Sequence, residues 1–108
     1  MLRTIIAAGL LAALAPSPAA AAGDPAAGAI KGYTCTGCHG IPGYVNVYPT
    51  FHVPKVAGQN AAYIEAALKA YRTGDRRHAT MNLHAQSLSD QDIADIAAWM
   101  ESAGDTGQ

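Results

Sequence analysis

Both cysteines of the 108-residue chain lie in one six-residue stretch, Cys35-Thr36-Gly37-Cys38-His39-Gly40. A histidine follows the second cysteine directly, and this CxxCH spacing is typical of covalent haem attachment. Thiols three positions apart lie on one helical turn, so both can add to vinyl groups of the same porphyrin. The next residue then presents an imidazole to the iron. The stretch therefore predicts a chain that folds around a covalently bound haem.

Three other interpretations of a CxxC pair fit the sequence less well. A thioredoxin-type redox pair expects a strand and a helix around it, and a zinc site needs two further ligands at matching spacing. Neither context is visible in the sequence. A simple disulfide would close a loop of only two intervening residues, which constrains the unfolded chain very little.

The first part of the chain has the pattern of a secretory signal peptide. Arg3 gives a positive start, an uninterrupted apolar run extends from Ile5 to Leu14, and small residues around Ala22 offer a cleavage site. The apolar run is too short to span a bilayer. We expect residues 1–22 to be a cleaved signal peptide, residues 23–108 to be a single domain, and the protein to be periplasmic.

Composition excludes some partners and indicates a need for a cofactor. The formal net charge is −1, and it becomes −2 if Arg3 leaves with the signal peptide, without any basic stripe that would bind nucleic acid. Large apolar side chains are sparse after the leader, with one Phe and one Trp. A domain this small barely sustains its own hydrophobic core, so we expect haem to complete it.

Three helices are predicted from capping residues and apolar periodicity. They run from Pro25 to about Tyr33 after an Asp24 cap, from Ala61 to Thr73 between Asn60 and Gly74, and onward from Ser89, where Asp92 completes an acidic capping box. The last helix has a buried stripe of Ile93, Ile96, Ala97 and Met100, with Trp99 beside it. Gly28 is expected to let the first helix approach another helix closely, whereas Gly32 is treated as a milder position.

Two long segments between the helices are predicted to be irregular. Gly40 to Pro54 is rich in proline and aromatic residues and is interpreted as an apolar loop, with a short strand at Val45 to Tyr48 as the alternative. Asp75 to Leu88 is interpreted as a polar, irregular segment.

The polar segment contains the candidates for a second axial ligand of the iron. Met81 has polar neighbours and no evident packing role, whereas Met100 belongs to the apolar stripe of the last helix. His84 is the main rival, with His78 behind it, and an open coordination position is a further alternative. Arginines 72, 76 and 77 are candidate partners for the haem carboxylates.

In the order of its motifs the chain resembles the class I c-type cytochromes, in particular a small bacterial kind similar to one half of a two-haem periplasmic cytochrome. The resemblance covers essentially all of residues 23–108. It rests on the CxxCH stretch and on Pro54-Lys55-Val56-Ala57-Gly58-Gln59, Tyr71-Arg72-Thr73-Gly74 and the segment from Leu88 to Trp99.

The resemblance implies an all-α cytochrome c fold, with three main helices and loops packed around one covalently bound haem c. It implies that Cys35 and Cys38 carry the thioethers, that His39 is the proximal iron ligand and that Met81 is the distal one. The carbonyl of Pro54 would accept a hydrogen bond from the proximal imidazole and so orient it.

We therefore expect a periplasmic one-electron carrier that is not an enzyme by itself. Its partners would be redox proteins, with a membrane-associated oxidase or dehydrogenase as one candidate class, and it would keep no transmembrane anchor after processing. The alternative is a haem-carrying electron-transfer subunit of a larger oxidoreductase complex. A ligand-binding or peroxidatic haem protein is a third hypothesis, which requires an open distal position.

Overall fold

The computed structural model describes residues 22–46 and 50–103. These residues form five α-helices and one 3₁₀ turn: α1 Pro25–Lys31, the 3₁₀ turn Tyr33–Cys35, α2 Thr36–His39, α3 Ala61–Thr73, α4 Ala79–Gln86 and α5 Asp90–Ala103. The all-α prediction is confirmed, with α1, α3 and α5 as the three predicted helices. Residues 1–21, most of the predicted signal peptide, lie outside the described part. Among the described helices none is long and apolar enough to cross a membrane.

The first and last helices cross in close contact at Gly28, the position where the sequence predicts the close approach of another helix. Gly28 is buried, and a Cβ atom placed on it would overlap the backbone carbonyl oxygen of Asp95 and lie 2.8 Å from Trp99 Cβ. The indole ring of Trp99 extends along α1 to Gly32, where an added Cβ would lie 2.7 Å from the ring. Gly32 is therefore also in close contact with α5, but its two nearest atoms belong to the edge of a side chain, whereas those at Gly28 are backbone atoms.

Local capping signals set the bounds of α3 and α5. The Asn60 side chain accepts a hydrogen bond from Tyr63 N, and Gly74 ends α3 in the left-handed conformation with φ 88°. Ser89 and Asp92 exchange two hydrogen bonds, Ser89 N–H to Asp92 Oδ2 at 3.0 Å and Asp92 N–H to Ser89 Oγ at 3.1 Å. This reciprocal arrangement is a capping box, so both predicted helix starts are confirmed.

The core between α3 and α5 is small. Ile64, Ile96, Ala97 and Met100 form its buried cluster, with Leu68 and Trp99 partly buried against it. Met100 is 5% exposed, which confirms its assignment to the core. Ile93 is the only large side chain among the described residues that is fully buried. A polypeptide core of this size is close to the lower limit for independent folding.

Two predicted boundaries are wrong. The first helix ends at Lys31 rather than near Tyr33, because the chain tightens into the 3₁₀ turn that leads to α2. The segment from Asp75 to Leu88, predicted to be irregular, contains the helix α4. This helix has weak apolar periodicity, so the sequence signal is poor, and its fully buried Ala85 shows that tertiary packing stabilises it.

The aromatic loop contains an antiparallel contact. Val45 and His52 form an isolated bridge, flanked by hydrogen bonds from Asn46 N to Phe51 O at 3.0 Å and from Val53 N to Tyr44 O at 2.9 Å. Residues 47–49 lie outside the described part, and the alternative prediction of a strand at Val45 to Tyr48 falls partly on them. The contact returns the chain toward Pro54 and the CxxCH stretch.

The crossing of α1 and α5 also contains a buried carboxylate. Asp95 is 3% exposed and accepts three hydrogen bonds, from Asp24 N at 2.8 Å, from Lys31 Nζ at 2.6 Å and from Gln91 Nε2 at 2.8 Å. These donors, the Asp24 amide foremost, lower the pKa of Asp95 to about 2. Lys31 also lies 2.9 Å from Asp92, and this contact is the largest of several that lower the pKa of Asp92 to about 2.

The crossing predicts different costs for two alanine substitutions. Gly28→Ala should lower the free energy of unfolding by at least about 1 to 3 kcal/mol, because the new methyl group overlaps backbone that cannot move independently. Gly32→Ala should cost less, since the far edge of the Trp99 ring can shift. Chemical denaturation of the haem-loaded variants measures both. Equal costs at the two positions would contradict the crossing as described.

The two aspartates predict a loss of stability in acid. Their pKa values in the folded protein, about 2, lie below the ordinary value of 3.8, so the ionised carboxylates stabilise the fold above about pH 4. This contribution should disappear as the pH falls from about 4 to about 2. Thermal unfolding over this range tests the prediction. Asp95→Asn should flatten the pH dependence, and an unchanged slope would rule Asp95 out as its source.

Candidate haem site

The two cysteines lie on two consecutive helical turns that follow α1. Cys35 ends the 3₁₀ turn and Cys38 lies on α2, and the thiols are not joined in a disulfide. Cys35 is packed against the core cluster, and burial raises the pKa of its thiol. Both side chains are partly buried, at the boundary between the core and the surface. Two free thiols in this position fit covalent attachment to one porphyrin.

The imidazole of His39 is held by a backbone carbonyl. Its Nδ1 lies 2.7 Å from Pro54 O. A carbonyl oxygen only accepts hydrogen bonds, so Nδ1 must carry the hydrogen and the neutral ring keeps its lone pair on Nε2. A hydrogen-bond acceptor for the ring nitrogen that does not bind the metal fixes both the tautomer and the orientation of a metal-binding histidine. The local geometry therefore suits His39 to bind iron through Nε2.

The candidate distal ligands lie on or beside α4, not in an irregular loop. Met81 is partly buried and is one helical turn before the fully buried Ala85, so the two residues share the inward face of α4. His84 is exposed. Of the two residues, Met81 is the one on the inward face of α4.

His78 emerges as a stronger rival than His84. It is the N-cap residue of α4, and its ring centroid lies 5.5 Å from that of Phe51. Its Nδ1 atom is buried and has no hydrogen-bond partner among the described residues. Buried polar atoms are usually paired, so this nitrogen is a candidate for contact with a bound group. The sequence alone placed His78 behind His84, because it gives no sign of this burial.

Arg72 and Arg76, two of the three candidate arginines, have different surroundings. Arg72 donates to Leu88 O at 3.0 Å and to Asp90 Oδ1 at 2.5 Å, so it ties α3 to the start of α5. Arg76 lies over the Tyr71 ring, 4.9 Å from its centroid, and donates to Tyr63 Oη at 3.3 Å. Arg72 is therefore largely occupied in a structural role.

An apolar cleft of about 450 Å³ opens beside His39. Its walls come from the 40–43 turn, the segment after Pro54 and the end of α5, and they include Val56 and Trp99. Neither cysteine lines it, and neither does Met81. The cleft therefore does not by itself define the porphyrin site. Within the described residues, no group of three or more His, Cys, Asp or Glu side chains is placed to hold a bare metal ion.

Known proteins resemble this chain over most of its length. The family model for cytochrome c matches residues 20–104. Cytochrome c-554(548) of Halomonas halodenitrificans is 49% identical over 84 residues, which cover 75% of this chain and 98% of that protein. Cytochrome c4 of Pseudomonas aeruginosa is 42% identical over 82 residues, 76% of this chain and 39% of that protein. The cytochrome subunit of sulfide dehydrogenase of Chlorobaculum tepidum is 32% identical over 72 residues, 67% of this chain and 62% of that protein.

The chain belongs to the cytochrome c family. It accordingly has the cytochrome c fold and carries covalently bound haem c, and it works in electron transfer with redox partners. It spans less than half of the length of the cytochrome c4 relative, whereas its match covers nearly all of cytochrome c-554(548).

The single CxxCH stretch predicts one covalent haem per chain. Purified protein should retain its haem through denaturation and acidified organic solvent, and Cys35→Ala combined with Cys38→Ala should abolish this retention. The haem content of the unfolded protein, read by absorbance and intact mass, measures the effect. Haem that is extracted from the unsubstituted protein would contradict thioether attachment at these cysteines.

Proposed function

We propose that the protein is a periplasmic one-electron carrier in which Cys35 and Cys38 hold the haem and His39 and Met81 are its axial ligands. Bound in this way, haem c supplies reversible one-electron transfer between Fe(II) and Fe(III). The polypeptide attaches the cofactor, fixes its ligands and limits access of water and small molecules. With both axial positions filled, no coordination position remains for a substrate, so the proposed protein is not an enzyme by itself.

The hydrogen bond between His39 and Pro54 is the observation that carries the proposal. It leaves Nε2 as the free donor atom of an imidazole that follows the second cysteine directly. A peroxidatic or oxygen-binding protein would share this proximal side. What separates an electron carrier from such proteins is the other axial position.

Met81 is the residue that we assign to the other axial position. Its position on the inward face of α4 and its partial burial support this role. Met100 is 5% exposed and packs in the core between α3 and α5. A thioether is a soft ligand and stabilises Fe(II) relative to Fe(III). We therefore expect a fairly positive reduction potential and a low-spin iron in both oxidation states.

The proposed location and partners rest on the leader and on the relatives. The apolar run before Ala22 supports export to the periplasm. The subunit of sulfide dehydrogenase among the relatives supports the second candidate, a haem-carrying subunit of a larger complex. Size-exclusion chromatography of native extracts separates the two: a free carrier elutes at the size of one chain, and a subunit elutes with its partner.

Substitution of the distal candidates tests the proposed ligation. Met81→Ala should remove the weak near-infrared charge-transfer band of thioether ligation from the oxidised protein, lower the potential and let carbon monoxide bind the reduced protein. His84→Ala should leave all three properties unchanged, because an exposed imidazole adds only a distant, screened charge.

His78→Ala is the decisive control for the alternative ligand. It should keep the near-infrared band if the proposal is right. If His78→Ala instead opens the iron to carbon monoxide while Met81→Ala has little effect, the ligation is bis-histidine. The potential should then be much lower, and the assignment of Met81 would have to be abandoned.

A further inference from the structure

The side chain of Asn82, the residue after Met81, forms three hydrogen bonds. Its Nδ2 donates to Tyr71 O at 2.7 Å and to Arg76 O at 2.8 Å. Its Oδ1 accepts from His78 N at 2.8 Å. An amide has two donor hydrogens and one carbonyl oxygen, so each is paired in this arrangement. Asn82 is itself partly buried.

These three contacts connect separate parts of the fold. Tyr71 lies in the last turns of α3, Arg76 lies in the connection between the helices, and His78 is the N-cap of α4. Among the side-chain hydrogen bonds of the described residues, the bond to Tyr71 is the one that joins a residue of α4 to α3. Removal of the amide would therefore break the side-chain hydrogen bonds that link the start of α4 to α3 and to the connecting segment.

Besides these hydrogen bonds, the start of α4 has the ring contact between His78 and Phe51. The side chain of His78, the N-cap residue, makes no capping hydrogen bond. The helix has only eight residues, and its fully buried residue, Ala85, lies near the other end. Isolated helices of this length are unstable in water, so the position of the first turn depends on tertiary contacts. That first turn contains Met81.

We infer that Asn82 is a positioning residue for the distal ligand: by fastening the first turn of α4 to α3, it keeps the Met81 thioether in place. The inference rests on the proposed ligation by Met81. Asn82 does not touch the iron in this role. It sets the equilibrium between a closed arrangement and one in which the first turn of α4 has moved away and taken Met81 with it.

Binding of imidazole to the oxidised, haem-loaded protein measures this equilibrium under native conditions. An added ligand must displace Met81, so its apparent affinity increases with the fraction of molecules in the open arrangement. Loss of the Asn82 hydrogen bonds should favour opening. We expect Asn82→Ala to raise the apparent affinity for imidazole about tenfold, equivalent to about 1.4 kcal/mol in the opening equilibrium.

Asn60→Ala is the matched control. Asn60 is also an asparagine at a helix start, and its side chain accepts a hydrogen bond from Tyr63 N at the beginning of α3. This substitution should lower global stability without changing imidazole affinity, because it leaves the link between α3 and α4 intact. If Asn82→Ala does not yield folded protein, Asn82→Ser, which keeps a polar but shorter side chain, provides the same comparison.

The near-infrared band distinguishes a failure of the role of Asn82 from a failure of the ligation by Met81. The inference is supported by two results together. The unsubstituted protein shows the band, and the imidazole affinity rises for the Asn82 variants but not for Asn60→Ala. A band in the unsubstituted protein with equal affinities in all variants, or with an equal rise for Asn60→Ala, overturns the role of Asn82 and leaves the ligation standing. Absence of the band from the unsubstituted protein overturns the ligation by Met81 and the inference with it.

Discussion

The close crossing of α1 and α5 at Gly28 is the contact on which the arrangement of the site depends. The chain passes from α1 through a single 3₁₀ turn into α2, so the crossing sets the position of Cys35, Cys38 and His39 relative to α5. The buried carboxylate of Asp95 reinforces it by joining Asp24, Lys31 and Gln91. Since α5 also packs against α3, one contact between two backbones places the haem-binding stretch against the rest of the fold.

The proposed axial ligands are held by different parts of this framework. His39 is the last residue of α2 and is fixed by a carbonyl from the loop that ends at Pro54. Met81 depends on α3, through the connection that Asn82 fastens to Tyr71. The two sides differ in how firmly they are held. Covalent attachment at the adjacent cysteines would keep His39 near the iron even in a partly opened protein, whereas Met81 as the proposed ligand would stay near it only while α4 is docked. The distal side is therefore where this protein would first open to other ligands.

Features governed by neighbouring residues could be predicted from the sequence. The Asn60 cap, the Gly74 stop and the Ser89 and Asp92 capping box all depend on contacts within four residues, and each is present. The helix α4 could not be predicted, because its Thr, Asn and His residues favour helix weakly and its stability comes from the burial of Ala85 and from Asn82. The contact of Gly32 with the Trp99 ring is likewise a long-range fact, invisible in the local pattern.

The candidate site likewise has some features that the sequence indicates and others that it does not. The CxxCH stretch can be recognised from spacing alone, because its chemistry requires adjacent residues. The resemblance supplied Pro54 as the acceptor for the proximal histidine, and a 2.7 Å contact between these groups is present. The burial of His78 Nδ1 and the three bonds of Asn82 depend on how the segment after Gly74 folds back on α3. Nothing in the sequence around Met81 indicates them.

The central claim, that Met81 faces the iron of a covalently bound haem, can be tested most directly by NMR of the reduced protein with ¹³C-labelled methionine methyl groups. A methyl group held over the face of a porphyrin is strongly shielded by the ring current, whereas one in an ordinary core is not. The account predicts a large upfield shift for the Met81 methyl, assigned by its disappearance in Met81→Leu, and a nearly ordinary shift for Met100. Ordinary shifts for both methyl groups would contradict it.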